Sequence, residues 1–151
     1  MAKFVYHMQS VLNIKEKLEE QAKNQFAVAK KRLDEEQERL NALRRRREEY
    51  MEEGVRLRNS TLNMLDLREN RAAVEKMDEY IKNQQAQIIV AQKNLDSARV
   101  RLQKVMQERK MQEKLREKAF EEFKYDLNKQ ESKEIDELTS YTYGLKTREQ
   151  D

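Results

Sequence analysis

Enzyme chemistry needs a nucleophile, a base or a metal ligand held where water is excluded, and this sequence offers few of them. It contains one histidine, His7, no cysteine, and two glycines, Gly54 and Gly144, far apart in the chain. No glycine loop can therefore cradle a phosphate. Disulfides and thiolate-bound zinc are excluded, and a reducing compartment is allowed. His7 falls beside an apolar stripe near the start of a helical pattern, where it reads as a packing or surface residue rather than a ligand or base. Glu48, Glu49, Glu52 and Glu53 lie within helical reach of one another. A solvated helix gives them no pocket that would shift their pKa values. The expectation is a non-enzymatic protein with no cofactor and no metal.

The basic clusters are the next candidates. Arg44, Arg45, Arg46 and Arg47 are consecutive, and successive helical residues point about 100° apart, so they form no single basic face. Glu48 and Glu49 follow Arg44 and Arg45 by four positions and partly neutralise them. A solvated charge cluster is the better reading here than nucleic acid or a membrane surface. From Arg99 to Lys118, eight Lys/Arg stand against three Glu, which suits an acidic partner, with a phosphate backbone as the rival. No aromatic residues are interleaved there to stack bases. The net charge of +3 and pI of about 9.0 come from 32 basic and 29 acidic residues. That is a mild excess, and no nucleic-acid partner is expected. The longest apolar run, Ile88 to Ala91, is four residues, against ~20 for a membrane span and ~7 for a signal-peptide core. No membrane insertion and no amino-terminal signal are expected, so the chain reads as soluble and unsecreted.

These side chains must be carried on helices. Charged residues make up 40% and hydrophobic residues 37%, with no proline, a profile of long helices rather than of a compact core. Read in alternating steps of three and four, Val74, Met77, Ile81, Gln84, Ile88, Ala91, Leu95, Ala98, Leu102 and Val105 form an unbroken 3.5-residue repeat. So narrow a seam wants one partner helix. Its order also argues against disorder, which the charge alone would permit. The partner stripe comes earlier: Phe4, Met8, Val11, Leu12, Ile14 and Leu18, then Ala22, Phe26, Ala29, Leu33, Leu40, Leu43 and Tyr50, with Glu36 and Arg47 as polar members. Steps of eleven through residues 11, 22 and 33 predict a local relaxation of the supercoil.

The expected fold is all-α, a long antiparallel two-helix coiled-coil hairpin forming a single domain over residues 1–151. Helix 1 spans about 4–57, a connector about 58–63 and helix 2 about 64–141, with a polar tail over 144–151. Gly54 weakens the end of helix 1, Ser60 or Thr61 caps helix 2, and Gly144 stops it. Residues 62–71 are either a separate short helix or the start of the long one. A continuous rod that dimerises is the alternative to the hairpin, which is expected to be a monomer when isolated. If the turn lies near residues 60–63, Phe4 falls opposite roughly residues 117–122, and the chain beyond about Phe120 has no partner. Yet Phe120, Phe123, Tyr125, Leu127, Ile135, Leu138, Tyr141 and Tyr143 lie on or beyond that limit. An aromatic extension of this kind reads as a binding surface, with fold-back onto helix 1 as the alternative. From Glu121 to Leu138 it is acidic, with seven Asp/Glu and three Lys.

The stretch from Phe4 to Lys15 (Phe-Val-Tyr-His-Met-Gln-Ser-Val-Leu-Asn-Ile-Lys) resembles the start of the flagellar export protein FliJ family. Glu113-Lys114-Leu115-Arg116-Glu117-Lys118, and above all Glu131-Ser132-Lys133-Glu134-Ile135-Asp136-Glu137-Leu138, is similar to that family's carboxyl-terminal signature. Met77-Asp78-Glu79-Tyr80-Ile81 is similar to its middle, so the resemblance covers nearly the whole chain. It implies a coiled coil similar to that of the rotor gamma subunit of rotary ATP synthases. It also implies a cytoplasmic component peripheral to the inner membrane at the flagellar type III export apparatus. The implied partners are the hexameric flagellar export ATPase, the cytoplasmic domain of the export gate, and export chaperones. On this resemblance, Phe123, Leu127, Lys133, Ile135, Asp136, Glu137 and Leu138 are expected to meet the ATPase ring, and Ala73, Met77, Tyr80 and Gln84 the export gate. Two other classes are a structural coiled-coil spacer, and a basic helix that binds nucleic acid or a membrane surface.

Overall fold

The computed structural model describes residues 2–61 and 63–150, with side chains through Arg148. The fold is all-α: two long helices, α1 (Gln9–Asn59) and α2 (Met64–Gln150), pack against each other as an antiparallel hairpin. There is no strand among the described residues. The helix ends differ from the expected ones for identifiable reasons. α1 starts at Gln9 rather than near Phe4 because residues 2–6 form a non-helical arm, closed by a turn in which the Gln9 amide donates to the Tyr6 carbonyl at 3.1 Å. α2 is capped by Asn63, not by Ser60 or Thr61. The Asn63 side-chain oxygen accepts from the Leu65 amide at 3.0 Å, and Asp66 complements the positive helix end. Ser60 instead donates to the Leu57 carbonyl, beyond α1's last basic turn of Arg56 and Arg58. Residues 64–71 belong to the long helix, while Leu62 lies outside the described residues.

Neither glycine breaks its helix. A glycine stop needs a left-handed backbone, and neither Gly54 nor Gly144 has a positive φ. α2 runs through Gly144, which costs roughly 1 kcal/mol against Ala but leaves the hydrogen-bond ladder able to continue. The expected tail over 144–151 is thus helical to Gln150, and Asp151 lies outside the described residues. Gly54 is buried where α2 comes close: a Cβ there would stand 2.6 Å from the Asn70 side-chain oxygen. Asn70 occupies that space because its amide donates to the Tyr50 carbonyl at 2.8 Å.

The packing divides into two compact units. One is Glu20–Lys104; the other joins the residues before Glu20 to those after Lys104. In the first unit Leu33, Ala91 and Leu95 are buried together, with Phe26, Ala29 and Ile88 packed on them. The polar seam members are paired in the same layer. Glu36 is 2% exposed, and its carboxylate accepts from Arg32, Arg39 and Gln84. Gln84 also donates to the Glu36 carbonyl at 2.8 Å. A buried charge is tolerable only when so satisfied. Arg47, expected in the seam, reaches Asp78 at 2.5 Å.

In the second unit Leu12 and Val105 are buried. Glu19, 6% exposed, takes a two-pronged contact from Arg109, whose third nitrogen donates to Glu113 at 2.8 Å. Hydrogen bonding to Glu19, and then to Glu113, raises the Arg109 pKa above its ordinary value. Lys15 pairs with Glu108 at 2.9 Å. The arm docks here as well: the Phe4 ring lies 5.1 Å from Phe120 and 5.5 Å from Phe123, and the Tyr6 hydroxyl donates to Gln112.

Candidate partner-binding surfaces

No group of His, Cys, Asp and Glu able to hold a metal ion occurs among the described residues, and His7 is exposed. No described helix is long and apolar enough to cross a membrane. The arginine run is spread around α1. Arg46 lies over the Tyr50 ring at 5.8 Å, donates to its hydroxyl, and has its pKa raised by that contact, while Arg47 turns to Asp78. In the second basic stretch, Arg99 lies over Phe26 and Arg116 over Phe4, so aromatic faces take up part of its charge. The surfaces left for recognition are helical faces.

The four residues expected at the export gate lie along one stripe at the edge of the seam but differ in exposure. Met77 is buried in the seam, and Ala73 is half-buried. Gln84 is half-buried and committed to Glu36. Tyr80 is the exposed member, at 42%, with the Lys76 ammonium 5.6 Å from its ring centre. The helix periodicity explains the split, because steps of seven from Met77 to Gln84 follow the seam and Tyr80 is offset from it.

The residues expected at the ATPase ring also divide. Phe123 is half-buried against Phe4, and Leu127 is half-buried. Lys133, Ile135, Asp136, Glu137 and Leu138 are all exposed, as is every side chain from Glu131 to Arg148. Ile135 and Leu138 are 62% and 66% exposed, large apolar groups with no cover among the described residues. Their stripe continues at Thr142 and Leu145, which spacing of three and four could have revealed had Gly144 not been read as the helix end. The Thr139 and Thr142 hydroxyls each donate at 2.9 Å to the carbonyl four residues back, which leaves them satisfied without water. The acidic Glu134 flanks this stripe, while Asp136 and Glu137 lie farther round the helix, on its outer side.

A family model described as the flagellar FliJ protein matches residues 4–148. No curated protein matches the chain. Among solved structures, a protein from Chlamydia trachomatis described as a YscO homolog is similar, with a TM-score of 0.74 at 20% identity, covering 97% of this chain and 99% of that one. At that identity the likeness speaks for the fold.

Proposed function

This chain belongs to the FliJ family of flagellar proteins, and from that premise we propose that it is a non-enzymatic component of the flagellar type III export apparatus. It works there in the cytoplasm, peripheral to the inner membrane, as a stalk for the hexameric export ATPase. The same stalk links the ATPase to the cytoplasmic domain of the export gate and to export chaperones, and resembles the gamma rotor of rotary ATP synthases. The observation that carries the reading is the uncovered apolar stripe of α2, Ile135 and Leu138, with Glu134 at its edge and Asp136 and Glu137 farther round the helix. Small apolar contacts flanked by charge can touch several subunits of a ring without locking it. At the gate, the exposed Tyr80 is the contact residue, while Met77 and Gln84 hold the seam beneath it.

Truncation tests this reading, and the cut belongs after Gln130. A cut after Ala119 would also remove Phe120 and Phe123, which hold Phe4. The chain ending at Gln130 is expected to keep its circular dichroism per residue and lose stimulation of the purified export ATPase. Full stimulation by the shortened chain would overturn the ring contact.

A further inference from the structure

The exposed stripe of α2 has a symmetry that the ring reading does not use. Ile135, Leu138, Thr142 and Leu145 follow steps of three, four and three, the a and d positions of a short heptad seam. Their numbers are symmetric about residue 140, so an antiparallel second copy sets Ile135 against Leu145 and Leu138 against Thr142. Thr142 can enter such a layer because its hydroxyl already bonds the Leu138 carbonyl. We propose that this face of α2 pairs antiparallel with the same face of a second copy of the chain.

Charge selects the orientation. In an antiparallel seam, flanking positions of the same type face each other. Glu134 therefore meets Arg148 of the second copy, and Arg148 meets its Glu134, while Tyr141 meets Tyr141 across the dyad. All three side chains are exposed and free to turn toward a neighbour. A parallel pair would oppose Glu134 to Thr139, losing both ion pairs, and would stack Thr142 on Thr142. Four layers are few, so the dimer is weak, monomeric at low micromolar concentration and associating toward millimolar. The helix is already formed as part of α2, which spares the nucleation cost that defeats short isolated coils. The dimer covers the stripe that the ring reading needs, so the two occupants compete; the pairing does not rest on that reading.

Sedimentation equilibrium of the full chain tests the proposal. The wild-type average mass should rise from 18.3 kDa toward double that value as concentration increases. Glu134→Arg alone and Arg148→Glu alone should each remain monomeric, because each sets like charges opposite each other. Mixed in equal amounts they should associate again. In the mixed pair the introduced guanidinium of one chain faces the introduced carboxylate of the other, and the unaltered Glu134 faces the unaltered Arg148. Circular dichroism should be unchanged in both variants, as the substituted positions are exposed. A wild-type chain that stays monomeric up to millimolar concentration would overturn the pairing. So would reversed variants that fail to associate with each other while the wild type does, or a Leu138→Asp chain that dimerises normally.

Discussion

At the scale of single residues, Gly54 leaves no room for a side chain beside Asn70. An alanine at position 54 gains about 1 kcal/mol of helix propensity, yet its Cβ would stand 2.6 Å from the Asn70 side-chain oxygen. Relief requires Asn70 to swing away and give up its 2.8 Å bond to the Tyr50 carbonyl, a loss of about 1 kcal/mol. The two effects nearly cancel, so Gly54→Ala by itself should shift stability little. In an Asn70→Ala background the obstacle is gone, and the same substitution should stabilise by about 1 kcal/mol. Urea unfolding of the four chains of this cycle checks it, and simple additivity would mean that the glycine is not there for Asn70. Glu36 and Gln84 show the same kind of mutual dependence: the carboxylate is tolerated in the seam because Arg32, Arg39 and Gln84 surround it.

At the scale of elements, the arm before α1 carries its own consequence. Phe4→Ala removes a half-buried ring that lies near both Phe120 and Phe123, which should cost roughly 1–2 kcal/mol. The loss should be local: hydrogen exchange should quicken along α2 near Gln112 to Phe123 and stay unchanged around Met77 to Leu95, in the other unit. Equal protection in both proteins would show that the arm adds nothing to that stretch. The arm also marks where legibility in the sequence ends. All ten residues of the stripe from Val74 to Val105 are buried or half-buried, because a 3.5-residue repeat admits one geometry. Ala22 and Leu33 are buried and Val11 is half-buried, as the steps of eleven require. Phe4 and Met8 fit the same helical spacing, but Met8 is 45% exposed and Phe4 packs from a non-helical arm. Spacing cannot distinguish a ring that packs from a helix from one that packs from the chain before it. The glycines misled for a related reason, since a breaker acts only where the backbone turns left-handed, and tertiary contact or a strong flanking helix can prevent that. The candidate surfaces were legible as neighbourhoods only, because a seam residue and its exposed neighbour differ by a single position.

At the scale of the whole molecule, the two proposed contacts fall in different compact units, Tyr80 in one and the Ile135–Leu138 stripe in the other. Sites without shared contacts act independently, so the two functions should separate by mutation. Tyr80→Ala removes an exposed ring and its contact with Lys76, changes expected to alter stability by no more than about 0.5–1 kcal/mol. If Tyr80 anchors the gate, its loss should weaken binding to the gate's cytoplasmic domain by about tenfold, the equivalent of 1.4 kcal/mol. ATPase stimulation should be unchanged. Met77→Ala is the wrong probe for this question, because Met77 is buried and its truncation costs about 2–5 kcal/mol of folding stability. Lost gate binding in that chain would report only a loosened seam. The complementary variant, Ile135→Asp with Leu138→Asp, touches only exposed positions. It should abolish ATPase stimulation while leaving gate affinity and circular dichroism at wild-type values. Calorimetric titration against the gate domain and steady-state ATPase assays on the same preparations check both halves. Tyr80→Ala binding the gate with full affinity would remove that contact from α2. Parallel loss of both activities in either variant would mean that the two contacts are not separate surfaces.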